Sequence, residues 1–260
     1  QGWSFNGGGD RLKCTDIINW GSSPDFNGFN YLQGGFHGCT NLATFGPSNG
    51  SIPNAGSLLT LRMAFRDCPT PTSIPSTIFS EATTATNMAY TFYNCDGIKS
   101  LPSGIFDGLS SVTTIEGIAA GSGALSGTLP DGLLDDMTSL TTAASAFSSL
   151  SLLEGYGANL FRTNTPCLNC VAVFAHAYKL QQRSDTFYAA GEETTRFLNQ
   201  SPNFTNAFTR SSFTGTQGTA PALWDCDYGT GSPTSTTCWG GAGNSGTSLT
   251  NYASIPAGWK

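Results

Sequence analysis

A repeat close to 27 residues long sets the strongest limit on what this chain can fold into. Its anchor is Phe92, which opens the phrase Phe-x-x-Cys within residues 87–114, and equivalents fall at Phe36, Phe65, Ala119, Phe147, Phe174 and Phe208. The steps are 29, 27, 27, 28, 27 and 34 residues, so the spacing holds until the last unit, which carries an insertion. Two further registers keep the period. Ile78-Phe79, Ile105-Phe106, Leu133-Leu134 and Leu160-Phe161 step by 27, 28 and 27 residues, and an apolar-proline pair recurs at Ile74-Pro75, Leu101-Pro102 and Leu129-Pro130. Periods of this size mark a solenoid, in which a unit too small to fold alone buries its apolar side on its neighbours.

The parts of a unit follow from residue type. The Phe-x-x-Cys phrase starts a turn, a short apolar strand such as residues 97–101 follows, and proline ends its ladder. Residues 103–109 (SGIFDGL) have the spacing of a single helical or 3-10 turn, and Val112 and Ile115 alternate with threonines as a second extended piece. With strands about 4.8 Å apart, seven rungs would make a rod roughly 30 Å long before its caps. Residues 1–30 miss the period and group glycines and aromatics around the strand-like Asp16–Trp20; an end rung needs a cover, so this segment is expected as the N-terminal cap. The sixth unit is followed by Glu192, Glu193, Arg196 and Phe197, a polar insertion expected to bulge outward. Trp224, Trp239 and Trp259 are expected to cover the far end. The organisation is therefore a cap over residues 1–30, repeats over 31–224 and a cap over 225–260.

The phrases FRDCPTPTSIPSTIF and FYNCDGIKSLPSGIF, the opening IINWG and the closing Pro-Ala-Leu-Trp with Ile-Pro-Ala-Gly-Trp resemble the BspA-type leucine-rich repeat proteins. These are surface proteins of bacteria, protists and some phages, and the resemblance covers about residues 16–224. It implies an α/β leucine-rich-repeat solenoid of about seven rungs, with short strands and single helical turns, and by association an extracellular role in adhesion or recognition.

Charged residues are only 11% and the net charge is −6, which leaves no basic patch for nucleic acid or an anionic membrane. No apolar run is long enough to span a bilayer, so no membrane insertion is expected. Gly, Ser, Thr and Asn supply the polarity, a composition that fits a secreted, cell-surface or virion protein. The start at Gln1 rather than Met points to a processed terminus or an excised piece. His37 and His176, five rungs apart, should lie about 24 Å from each other and cannot share a metal. With no Gly-x-Ser-x-Gly, His-Glu-x-x-His or phosphate loop present, no enzymatic activity, metal site or cofactor is expected.

Cys39, Cys68 and Cys95 share one rung position, which Ser122, Leu150, Ala177 and Ser211 fill later, so it is expected to be a small interior slot holding free thiols. Cys167 and Cys170 have metal-ligand spacing but no second pair, and a local disulfide is the expectation. Cys226 and Cys238 flank a Gly/Ser/Pro/Thr loop, and a bond between them would close about a dozen residues and stabilise by roughly 3 kcal/mol. Cys14 has no evident partner, and a bond to Cys39 is left open. Asp225 with Asp227, and Asp135 with Asp136, lack the further oxygen ligands that calcium needs. Asn49, Asn199 and Asn203 head Asn-x-Ser/Thr tripeptides and would be N-glycosylated in a secreted eukaryotic chain.

These readings converge on a non-enzymatic extracellular module that binds a protein or glycan partner through residues outside the repeat pattern, such as Arg66, Tyr93 and Lys99. Trp20, Tyr31, Trp224 and Trp239 are candidates for stacking on a sugar, although capping accounts for them with less machinery. The alternative is a structural subunit whose aromatic ends bury against copies of itself, building an extracellular fibre.

Overall fold

The computed structural model describes residues 4–20, 30–48, 50–53, 58–211, 218–240 and 249–260. Single parallel bridges organise its backbone. Tyr31 pairs with Thr60, and the pairing passes through Asn87, Thr114, Thr142, Asn169 and Asn203 to Thr234, every bridge parallel. Each of these residues stands five positions before an anchor, so the anchors lie one above another and an eighth joins them, Trp239. We call the chain between successive bridges a coil and number the coils from Tyr31.

The anchor rings form a column. Phe36, Phe65 and Phe92 stack at centroid spacings of 5.5 and 5.6 Å, and Phe147, Phe174, Phe208 and Trp239 at 5.6, 5.7 and 5.4 Å. Ala119 interrupts the column between the two runs. The second register lies inside as well: Phe79, Phe106, Leu134 and Phe161 are buried, and so are Ile74, Leu101 and Leu129 of the third. All belong to one apolar cluster that reaches from Ile17 to Ile255. Trp239 is wholly buried within this column and the bridges run on to Thr234, so the regular pairing extends past the boundary expected at 224.

Around each anchor the chain makes a ribbon of overlapping turns, which we call the turn face. In the third coil Met88, Tyr90, Phe92 and Asn94 donate their N–H groups to Thr114, Glu116, Ile118 and Ala120 of the fourth, at 3.0, 2.7, 2.8 and 3.0 Å. The intervening amides close turns within the coil (Thr91 to Met88 O and Tyr93 to Tyr90 O, both 3.3 Å) or meet the bridge side chain (Ala89 N to Asn87 Oδ1, 2.9 Å). Alternate peptides can all face one way only if residues two before and two after the anchor take positive φ. Gly34 and Gly38, Met63 and Asp67, Tyr90 and Asn94, Gly117 and Gly121, Ser145 and Ser149, Ala172 and His176, and Asn206 and Arg210 all do.

Elsewhere the regular elements are sparse. Two strands, β1 (Ser126–Leu129) and β2 (Leu152–Tyr156), pair in parallel with an irregularity between Gly127 and Thr128. The equivalent strand expected at residues 97–101 is held by isolated bonds, Lys99 N to Thr72 O and Ser126 N to Lys99 O, at 3.3 and 3.1 Å. Pro71, Pro75 and Pro102 remove ladder donors there. The helical turn expected over residues 103–109 is a run of turns instead, because Gly104 and Gly108 adopt φ of 72° and 75°, outside the right-handed helical region. The 3-10 segments lie toward the ends, at Arg11–Lys13, Leu223–Asp225, Tyr252–Ser254 and Ala257–Trp259.

The polar insertion does not bulge away from the coils. Phe197 is wholly buried against Phe187 and Phe204, and Arg196 is 7% exposed. The Arg196 guanidinium donates to the carbonyls of Phe187 (3.0 Å), Asn164 (3.1 Å), Thr165 (3.3 Å) and Phe161 (3.4 Å) and lies over the Phe197 ring at 4.4 Å. One arginine thus satisfies several carbonyls at an irregular turn, while Glu192 pairs with Arg162 at 2.6 Å on the surface.

Candidate functional site

On the turn face, side chains beside the left-handed positions reach solvent, and in the second and third coils they are large. The Arg66 guanidinium lies 4.8 Å from the Tyr93 ring centroid and 6.0 Å from that of Tyr90; Arg62 lies 5.7 Å from Tyr90. The two tyrosines meet edge to face at 5.8 Å. All four residues are half-buried. A polar rim surrounds them: Asp67 accepts from Arg66 Nε at 3.2 Å, meets His37 Nε2 at 3.1 Å and accepts from Asn94 Nδ2 at 3.1 Å, while the Tyr90 hydroxyl donates to Glu116. Burial, and then the bond to Glu116, push the Tyr90 phenol up to about 12, so it remains a neutral donor through the physiological range.

The local backbone explains the cluster. Met63 and Tyr90 hold φ of 58° and 59° at the position that is glycine in the first and fourth coils. A side chain in the left-handed region costs about 1–2 kcal/mol, which glycine avoids. The Tyr90 ring also needs a glycine above it, since a Cβ on Gly117 would approach its Cδ1 and Cε1 to 2.6 Å. Arg66 and Tyr93 are thus brought together as the sequence suggests. Arg62 and Tyr90, the other half of the cluster, were missed because nothing in the sequence marks the positions three and two before the anchor as outward-facing ones.

The other candidates are dispersed. Lys99 is exposed, but its backbone pairs with Thr72 and Ser126, seven residues past the anchor and on another face. Trp20 and Trp239 are 6% and 0% exposed, packed on Phe36 and Phe208, and so present no face to a sugar. Trp224 is half-buried edge-on to Trp239 at 5.6 Å, and Tyr31 is 51% exposed at the start of the bridge ladder. Asn199 is exposed, with its Oδ1 accepting from Thr230 N and Oγ1 at 3.1 Å. Asn203 is a bridge residue whose Oδ1 accepts from Thr205 N at 3.0 Å, so it has a structural role, and Asn49 lies outside the described residues.

All eight cysteines are free thiols, so neither expected disulfide is formed here. Cys238, beside the Trp239 anchor, fills the interior position that Ala64, Ala146 and Ala207 take in other coils, and burial raises its thiol well above the usual range. The Cys226 thiol donates to the Ala222 carbonyl at 3.9 Å instead, and burial pushes it up to about 11. The Cys167 and Cys170 sulfurs sit 3.9 Å apart, unbonded, in the interior. The slot after the anchor proves to be a donor site as well as a small one: Cys68 Sγ, Cys95 Sγ and Ser122 Oγ donate to the carbonyls of Phe36, Phe65 and Phe92 at 3.1, 3.0 and 2.8 Å.

A groove of about 710 Å³ beside the first coil is lined by Ile17, Ile18, Phe45 and Ile74; its one carboxylate, Asp16, accepts from Thr44 Oγ1 at 2.5 Å. Among the described residues no three His, Cys, Asp or Glu side chains converge as a metal site, and no helix is long and apolar enough to cross a membrane. No known protein-family profile and no curated protein sequence matches the chain.

Proposed function

We propose that the chain is a non-enzymatic recognition module of the leucine-rich-repeat solenoid class, resembling the BspA-type surface proteins and working outside the cell or on a virion. Its partner is a protein or glycan, and the contact surface is the cluster of Arg62, Arg66, Tyr90 and Tyr93. The observation that carries this reading is the gathering of two arginines and two tyrosines in one patch that reaches solvent, with Tyr90 on a left-handed backbone position where other coils use glycine, serine or asparagine. Strain held at such positions is a mark of functional surfaces. Arginine and tyrosine are also the residues that most often dominate binding energy at interfaces.

The test is a glycan array and a panel of surface proteins probed with labelled wild type and with an Arg66→Ala/Tyr93→Ala variant. Loss of a specific signal at an unchanged unfolding midpoint supports the reading; a signal that survives the double substitution sinks it. The end-to-end fibre alternative has less to support it, because two of the end aromatics, Trp20 and Trp239, pack inside their own chain. Filaments in electron micrographs of the purified protein would restore it.

A further inference from the structure

Four cysteines follow one another at the N-terminal end of the column: Cys14 in the cap, then Cys39, Cys68 and Cys95 three residues after successive anchors. The Cys68 and Cys95 thiols are committed to carbonyls of the coil before them. Cys39 belongs to the first coil, where no earlier anchor offers a carbonyl. Its thiol lies instead beside that of Cys14. Hydrogen bonds on both sides of Cys14 hold its segment against the first coil just past Cys39: Asn41 Nδ2 donates to Leu12 O and Ala43 N to Thr15 O, both at 2.8 Å. Access separates this pair from Cys167 and Cys170, because Cys14 is partly exposed whereas those two are 1% and 0% exposed. Disulfide formation begins when a thiolate meets a soluble oxidant, so an exposed member is what the chemistry requires.

We propose that Cys14 and Cys39 form a disulfide that locks the N-terminal cap onto the first coil once the protein enters an oxidising compartment. The Cys14 thiol gives its proton to solvent and attacks one sulfur of glutathione disulfide, whose S–S bond breaks to release one glutathione thiolate. Cys39, deprotonated in turn, attacks the Cys14 sulfur of the mixed disulfide, forming the Sγ–Sγ bond and releasing the second glutathione. Two protein thiols are oxidised and one glutathione disulfide is reduced to two glutathiones. Burial, with Cys14 beside it, pushes the Cys39 thiol up to about 12, which makes the second step the slow one. The oxidising compartment is taken from the functional reading above, but the chemistry needs no partner molecule, so the two can fail separately.

The experiment uses the full chain, reduced and then incubated with glutathione disulfide at mildly alkaline pH, with remaining thiols blocked by N-ethylmaleimide after denaturation. The expected product has lost two hydrogen masses, takes up the blocking reagent at six of its eight cysteines, and gives a chymotryptic peptide pair joining Cys14 to Cys39. Its unfolding midpoint rises and falls back on reduction. Cys14→Ser should show no midpoint shift on oxidation, and Cys167→Ser should keep it, which guards against a fold lost for other reasons. Eight blocked cysteines in the wild type, a persistent glutathione adduct, a Cys39–Cys68 linkage, or an unchanged shift in Cys14→Ser would each overturn the proposal.

Discussion

Phe65→Ala and Phe147→Ala remove the same ring from the same repeat position, yet they should not cost the same. Phe65 is wholly buried, stacked between Phe36 and Phe92 at 5.5 and 5.6 Å and met edge-on by Phe45 at 4.9 Å and Trp20 at 6.1 Å. Phe147 is equally buried but stacks on Phe174 alone, at 5.6 Å, because its other neighbour in the column is Ala119. Truncating a core phenylalanine to alanine costs about 3–5 kcal/mol. Each aromatic pair adds about 0.5–1.5 kcal/mol beyond area burial, so three further ring partners place Phe65→Ala about 1.5 kcal/mol or more above Phe147→Ala. Denaturant unfolding of both variants measures the difference. Amide hydrogen exchange locates it, and in a chain stabilised by nearest-neighbour contacts the loss in Phe65→Ala should concentrate in the first three coils. Equal losses, or protection falling evenly along the whole chain, would refute the column as the source of stability.

Ser122→Ala removes the donor to Phe92 O and the acceptor for Cys95 N, and should cost about 1–3 kcal/mol by chemical denaturation; Ser122→Cys, which matches the two coils before it, should be close to neutral. Ala172→Gly, at a φ of 53°, should raise stability by about 0.5–1 kcal/mol, since left-handed strain of about 1–2 kcal/mol outweighs the entropy cost of glycine. Arg196→Met leaves the Phe187 and Thr165 carbonyls without their donor and should lower stability by about 2 kcal/mol or more, seen in the same unfolding assay. Tyr90 and Tyr156 both have phenols pushed by burial from 10.0 up to about 12. Below pH 10 they are neutral in both states; between these values the unfolded chain releases protons that the folded chain keeps, so stability should fall as pH rises through that window. Tyr156→Phe should flatten the fall in a pH series of unfolding midpoints.

The period was legible because the anchor slot accepts few shapes: seven of its eight occupants are aromatic. The bridge position could also have been read, since a threonine or asparagine stands five residues before every anchor from Phe65 to Trp239. The turn face could not. Its left-handed positions hold Gly, Asn, Asp and Ser but also Met, Tyr, Ala, His and Arg, so composition gives no sign of their conformation and the outward turn of Tyr90 stayed hidden. Spacing does not place the cysteines, because a C-x-x-C run and a loop-flanking pair describe distance along the chain, whereas Cys238 sits where other coils place alanine. The insertion at Glu192 to Phe197 reads as polar, but Arg196 can be buried once several carbonyls surround it.

Alternate amides of the turn face donate toward the next coil, through four bonds per coil along its length. Peptide dipoles on that side therefore add instead of cancelling, with the partial positive pole at the C-terminal coil and the negative pole at the N-terminal one, the reverse of their order in an α-helix. Arg62 and Arg66 stand in the second coil, close to the negative pole, where the field of the stack favours their charge.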